Sequence, residues 1–145
     1  MPVLPWVTVG PADPDHEVVV MASRFRLRSP LDVPGFLFAA LRIRRQVRRA
    51  PHALGVALDA RPLSRTFYTL SAWRDRASIA AMVGVDPHRR VMKRYSSRTA
   101  ESTFRFWLVP GAELPVAWEE AHRRLAAPAL PDPSEPMGRT SPARK

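Results

Sequence analysis

The segment from Arg65 to Tyr95, RTFYTLSAWRDRASIAAMVGVDPHRRVMKRY, restricts the fold more than any other part of the chain. It opens as a strand with two usable faces, Phe67, Thr69, Ser71 and Trp73 pointing one way and Tyr68, Leu70 and Ala72 the other. Neither face suits bulk water, so the strand belongs in a sheet covered on both sides. Asp75 then starts a helix that Gly84 and Pro87 interrupt, and Asp86 is the expected N-cap of a restarted turn with Pro87 in its first position. The restart puts His88 in the first turn, where the positive end of the helix dipole disfavours the imidazolium. His88, Val91, Met92 and Tyr95 fall at i, i+3, i+4 and i+7 and share an inward face. A neutral imidazole held there can ligate a metal or take a proton.

The flanking segments supply the rest of a domain. The run VVVMASRFRLR from Val18 alternates, with Met21, Ser23, Phe25 and Leu27 opposite Arg24, Arg26 and Arg28, and reads as a strand. Asp32 is placed to cap a helix with Pro34 in its first turn, and Phe36, Ala40, Ile43 and Val47 form its apolar stripe before Pro51 ends it. Ala53 to Ala60 is a second strand, with Leu54, Val56 and Leu58 on one side, and the turn Arg61 to Ser64 leads into the third. Glu101 to Val109 gives a fourth, with Phe104, Phe106 and Leu108 opposite Thr103, Arg105 and Trp107, and a short helix follows over residues 115–126. The order strand, helix, strand, strand, helix, strand predicts an α+β ferredoxin-like split βαβ sandwich with right-handed crossovers. Two helices cover only one side of such a sheet. The expected cover for the aromatic second face is the same face of another subunit, hence a homodimer whose sheets close on each other. Residues 1–16, rich in Pro and Asp, are expected as an N-terminal arm, residues 17–127 as the domain including the C-terminal helix, and residues 128–145 as a disordered, Pro-rich tail.

Composition narrows the function classes. A chain of 145 residues that is 46% hydrophobic suits one domain with a real core. It has no long apolar run to span a membrane. The N-terminus lacks the pattern of a secretory signal and there is no cysteine, which removes disulfides and thiolate metal sites and makes a cytoplasmic location the expectation. A net charge of +10 invites a nucleic-acid reading. Lys93 and Lys145 are the only lysines, however, and the wealth of Ala, Pro and Arg matches the codon bias of a GC-rich genome. The cluster Arg42, Arg44, Arg45, Arg48 and Arg49 reads as a solvated helix face, so nucleic acid is set aside as a partner. No P-loop, GxGxxG, nucleophile elbow or paired histidines occur, which disfavours hydrolysis by a triad or zinc.

A third strand ending in Leu70-Ser71-x-Trp73, a helix started by Asp75, His88 with Met92 one turn on, and a final strand carrying Phe104-Arg105-Phe106-Trp107 resemble the dimeric α+β barrel superfamily. The likeness covers about residues 17 to 111 and is strongest to the spheroidene monooxygenase-like branch and its bacterial relatives, with antibiotic biosynthesis and haem-degrading monooxygenases as more distant kin. The resemblance implies a pocket between sheet and helices or inside the dimeric barrel, with His88 at the position of a haem ligand or acid/base group. It also makes Trp73 the counterpart of a pocket-shaping tryptophan, while Ser23 or Arg24 stands where haem-degrading members carry an asparagine.

The resemblance implies a monooxygenase-like oxidoreductase of secondary metabolism or pigment biosynthesis, acting on an apolar or aromatic small molecule. Its expected catalytic residue is His88, and Phe25, Phe67, Ser71, Trp73, Met92, Trp107 and Arg105 are expected to bind substrate. No cofactor is required if His88 serves as a base that generates an oxygen-reactive carbanion. The alternatives are a haem-binding protein of the same fold with His88 as axial ligand, and a non-enzymatic small-molecule-binding dimer.

Overall fold

The computed structural model describes residues 3–128. The alternating run after Glu17 becomes β2 (Glu17–Leu27), which pairs on one side with β4 (Thr66–Trp73) and on the other with β5 (Thr99–Pro110). β3 (Ala53–Arg61) lies beyond β4, and β1 (Val3–Thr8) beyond β3. The sheet is antiparallel, in the order β1-β3-β4-β2-β5. With α1 (Val33–Arg49), α2 (Arg76–Val83) and α3 (His88–Tyr95) between strands, β2 to β5 reproduce the expected ferredoxin-like order, and α4 (Trp118–Ala126) follows. No helix among the described residues is long and apolar enough to cross a membrane.

The pleat of β2 divides the core. Val19, Phe25 and Leu27 face α1, α2 and α3, where Phe36 of α1 meets Phe67 at 4.7 Å, Tyr95 at 5.1 Å and Phe25 at 5.8 Å between ring centroids. Val18, Val20 and Ala22 face the other way with Leu70, Ala72, Trp107 and Val109. That second face is covered within the chain. Ala121 and Leu125 of α4 are buried against it, and Leu114, Val116 and Trp118 pack around them. The apolar face that motivated a sheet-to-sheet dimer therefore already has a cover, because α4 folds back across β2 and β5.

The N-terminal segment also departs from the expected arm, since Val3–Thr8 forms an edge strand. Gly55 of β3 makes this possible, because a Cβ there would lie 2.0 Å from Cζ2 of Trp6 and the bare backbone leaves a seat for the indole. Pro5 has no N–H to give the ladder, and the register shifts between Leu4 and Val7, as suits an edge strand. Of the tail expected over residues 128–145, residues 129–145 lie outside the described part.

The start of α2 is capped locally, whereas partners distant in sequence act at the starts of α1 and α3. Asp75 caps α2 as expected, accepting from the Ser78 N–H at 2.8 Å. Asp32 stands at the N-cap of α1 without capping it and instead binds Arg98 Nη1 at 2.7 Å. At α3 the N-cap is Pro87 and the carboxylate of Asp86 lies 3.6 Å from Arg90. The acceptor expected from Asp86 comes from α1: the His88 N–H donates to Gln46 Oε1 at 3.0 Å.

Candidate functional site

Beneath α1, the helices and the sheet enclose a cavity of about 70 Å³. Phe25, Phe67, Thr69, Ser71 and Ser23 reach it from β2 and β4, because the register sets Ser23 opposite Thr69 and Met21 opposite Ser71 on one face. Arg44 approaches from α1, and His88 and Met92 from α3. The wall is apolar apart from these hydroxyls, the imidazole and the guanidinium. Ser23 and Thr69 hydroxyls bond to each other, while Ser71 Oγ accepts from the indole N–H of Trp73 at 2.9 Å. Ser23 and Ser71 are buried, so their unshared lone pairs and hydrogens are available only to whatever occupies the cavity.

His88 is half-buried, and its Nδ1 is enclosed without a hydrogen-bond partner among the described residues. Burial pushes the imidazole below its ordinary value of 6.5, because a cation there loses hydration that nothing nearby replaces. The ring is therefore neutral near pH 7, and a neutral imidazole offers one lone pair to a proton donor. Its backbone is fixed by Gln46, whose Oε1 holds the His88 N–H while its Nε2 donates to the Met82 carbonyl at 3.1 Å. One side chain of α1 thus ties down the end of α2 and the start of α3. Outside this latch, a groove of about 1100 Å³ runs between α1 and α2, and Met82 lines both the groove and the inner cavity.

The structure brings His88, Phe25, Phe67, Ser71 and Met92 together. Trp73 has no exposed surface and packs with Ile79 and Met82, so it supports the wall through Ser71 without forming it. Trp107 and Arg105 do not join them. β5 sets Trp107 opposite Val20 and Arg105 opposite Ala22, on the α4 side, because the strand period that turns Phe104 toward Phe25 turns its odd-numbered neighbours away. Arg105 donates to the carbonyls of Phe104 and Ala127, and Arg124 lies over the Trp107 ring at 4.7 Å. Arg24 and Arg26 lie on that same face and approach Glu101 at 3.6 and 3.3 Å.

Gln46 and Met82 escaped the sequence reading, and Arg44, read as part of a solvated helix face, lines the cavity instead. Gln46 had a signal, being the only uncharged polar side chain in α1. His122, on α4, is half-buried with its ring 4.5 Å from Tyr68 and its Nε2 3.8 Å from Asp59.

Among the described residues no three His, Asp or Glu side chains converge as metal ligands. The cavity at His88, about 70 Å³, is several times smaller than the roughly 300 Å³ or more of cofactor-sized pockets.

No family model matches the sequence, and no curated protein does. Solved structures do match. An antibiotic biosynthesis monooxygenase superposes with a TM-score of 0.53 at 14% identity, over 63% of this chain and 95% of that one. SnoaB from Streptomyces nogalater, a cofactor-independent oxygenase solved as a point variant, gives a TM-score of 0.52 at 14% identity, over 68% of this chain and 98% of that one. A candidate monooxygenase from Lactobacillus acidophilus NCFM gives 0.59 at 10% identity over 73% of this chain, which spans only 49% of that longer polypeptide. At such identities the likeness is one of fold. The chain has the ferredoxin-like α+β fold seen in these monooxygenase structures.

Proposed function

We propose that this monooxygenase-like fold carries an oxidoreductase that oxygenates an apolar or aromatic small molecule, with His88 as its base. The observation that carries the reading is the enclosed, unpartnered Nδ1 of a neutral His88 at an apolar cavity with hydroxyl groups on its wall. Fold likeness to oxygenases supports it but is the weaker warrant, because one fold hosts many chemistries.

In this reading the ring system of the substrate lies in the groove and its reacting edge enters past Met82, a side chain flexible enough to swing aside. His88 takes a proton from an activated CH₂ of the substrate, leaving a carbanion whose charge spreads into the ring. The carbanion gives its electrons to dioxygen, the new C–O bond yields a peroxide anion, and the imidazolium returns the proton. Loss of water then leaves a ketone, so that CH₂ and O₂ become C=O and H₂O with no outside reductant. The Ser71 hydroxyl, which accepts from Trp73 and keeps its own hydrogen, donates to the developing oxygen charge. Such chemistry suits secondary-metabolite or pigment biosynthesis.

An oxygen electrode tests the proposal with anthrone, an aromatic carbon acid, in buffer containing a chelator. Wild-type protein is expected to accelerate oxygen uptake, and His88→Gln to lose about a hundredfold or more of that rate. Anthrone binding without oxygen uptake assigns the protein to the non-enzymatic small-molecule binders instead. The homodimer in this reading pairs through β5, an open edge on which Phe104, Phe106 and Leu108 are exposed. Phe106→Arg is expected to sediment as a monomer, and a monomeric wild type removes the dimer.

A further inference from the structure

The groove between α1 and α2 has a chemistry of its own. Arg42, Arg45 and Arg49 stand at i, i+3 and i+7 on α1 and line one wall, all three exposed and without an ion-pair partner among the described residues. α1 contains no acidic residue to pair with them. The groove does contain two carboxylates, and both are engaged. Asp75 accepts from the Ser78 N–H and hydroxyl at 2.8 and 2.6 Å, and Asp86 faces Arg90 at 3.6 Å. The floor and far wall are apolar, with Ala77, Ala81, Met82 and Val85 from α2 and the loop after it. A wide apolar trough of about 1100 Å³ beside three uncommitted guanidinium groups matches an amphiphilic anion better than a neutral hydrocarbon.

We propose that the α1–α2 groove binds the acidic group of an aromatic ligand, with Arg42, Arg45 and Arg49 as its anion-binding wall. The inference deepens the oxygenation reading and rests on it for the identity of the ligand as substrate: the substrate class narrows to ring systems that carry a carboxylate, sulfonate or comparable anion. Met82, which lines both spaces, sets the geometry: with its side chain swung aside the anion stays at the arginine wall and the reacting carbon points inward toward His88. Arg48 provides an internal comparison, being an exposed cation of the same helix that does not line the groove.

Two fluorescent probes that differ only in charge test this on the full chain. 8-Anilinonaphthalene-1-sulfonate carries the anion, and N-phenyl-1-naphthylamine is the same ring system without it. At low salt the sulfonate is expected to bind about tenfold more tightly than the neutral probe, with the preference shrinking as salt is raised. Arg45→Ala and Arg49→Ala are each expected to weaken sulfonate binding several-fold and to leave the neutral probe within about twofold, while Arg48→Ala changes neither. Equal affinity of wild type for the two probes overturns the proposal. So does an Arg48→Ala loss as large as that of Arg45→Ala, which would attribute the preference to the overall charge of the protein. Failure of the two readings is separable. A retained charge preference without oxygen uptake removes only the oxygenase, and oxygen uptake without the preference removes only the anion wall.

Discussion

Removing the carboxamide of Gln46 is the sharpest probe of how the site is held. Gln46→Ala deletes two hydrogen bonds at once, one from Nε2 to the Met82 carbonyl at 3.1 Å and one to Oε1 from the His88 N–H at 3.0 Å. A typical bond of this kind contributes about 0.5–1.5 kcal/mol net, so the pair amounts to roughly 1–3 kcal/mol. Gln46 and Met82 line an open groove, and water can replace part of what is lost, which favours the lower half of that range. The expected cost is about 1–2 kcal/mol, a fall in midpoint temperature of about 3–8 °C for a domain of this size. Urea denaturation measures the global cost, and native-state hydrogen exchange at the His88 amide reads the local one. The loss belongs at the start of α3, since neither Pro87 nor Asp86 caps that N–H. Gln46→Glu separates the two bonds: its carboxylate keeps an acceptor for the His88 N–H at a helix N-terminus, where negative charge is favourable, but loses the donor to Met82. Protection at His88 should survive in Gln46→Glu and vanish in Gln46→Ala. Unchanged exchange at that amide in Gln46→Ala would refute the latch.

Three further outcomes can be checked. His88 and His122 are both held below their ordinary 6.5, His88 by burial and His122 by burial with the Arg61 charge adding and Asp59 opposing. Lowered folded-state values mean that the unfolded chain takes up more protons, so stability present above about pH 6.5 is lost as pH falls through the folded values. The urea midpoint should therefore drop between about pH 7 and pH 5, and His88→Asn should flatten part of the slope. Gly55→Ala places a methyl 2.0 Å from the Trp6 ring, should cost about 1–3 kcal/mol by expelling the indole, and should red-shift tryptophan emission. In a Trp6→Ala background the same change should cost far less, a coupling that a double-mutant cycle in urea detects. Ser71→Ala leaves the Trp73 indole N–H without a partner at a position with no exposed surface, and should lower stability by about 1–3 kcal/mol in the same assay.

What could be read in the sequence follows the range of the forces involved. Period-two and period-three-to-four patterns gave the strands and helices that carry Phe25, Phe67, Ser71, His88 and Met92, because local geometry alone decides which residues share a face. The same logic placed Trp107 and Arg105 on the far side of the sheet from Phe104, and treating them as pocket residues neglected the pleat. Contacts made across the chain were not legible. The seat for Trp6 exists only because Gly55 is bare, and the cap of α3 comes from Gln46, 42 residues earlier. Neither leaves a short-range pattern. The cover of the second sheet face was missed for a related reason: α4 is short and charged on its outer side, so its two small buried contacts, Ala121 and Leu125, do not advertise a helix that closes a core.

α1 joins these separate features, since its faces serve different purposes on one rigid rod. Phe36 and Val47 fasten it to the sheet, Gln46 fastens α2 and α3 to it, and Arg42, Arg45 and Arg49 face the groove outside. An anion drawn to the arginine wall lies beside the Gln46 bonds that hold Met82 and His88. Binding that shifts the Met82 backbone along with its side chain loosens the Gln46 bond to the Met82 carbonyl, and the loosening is confined to the junction of α2 and α3, because Phe36 and Val47 keep α1 anchored elsewhere. Access to the cavity therefore needs no separation of α1 from the sheet. This expectation gives the exchange experiment a second use: 8-anilinonaphthalene-1-sulfonate should raise exchange near Met82 and His88 while leaving the amides of Val20 and Leu70 in the central strands protected.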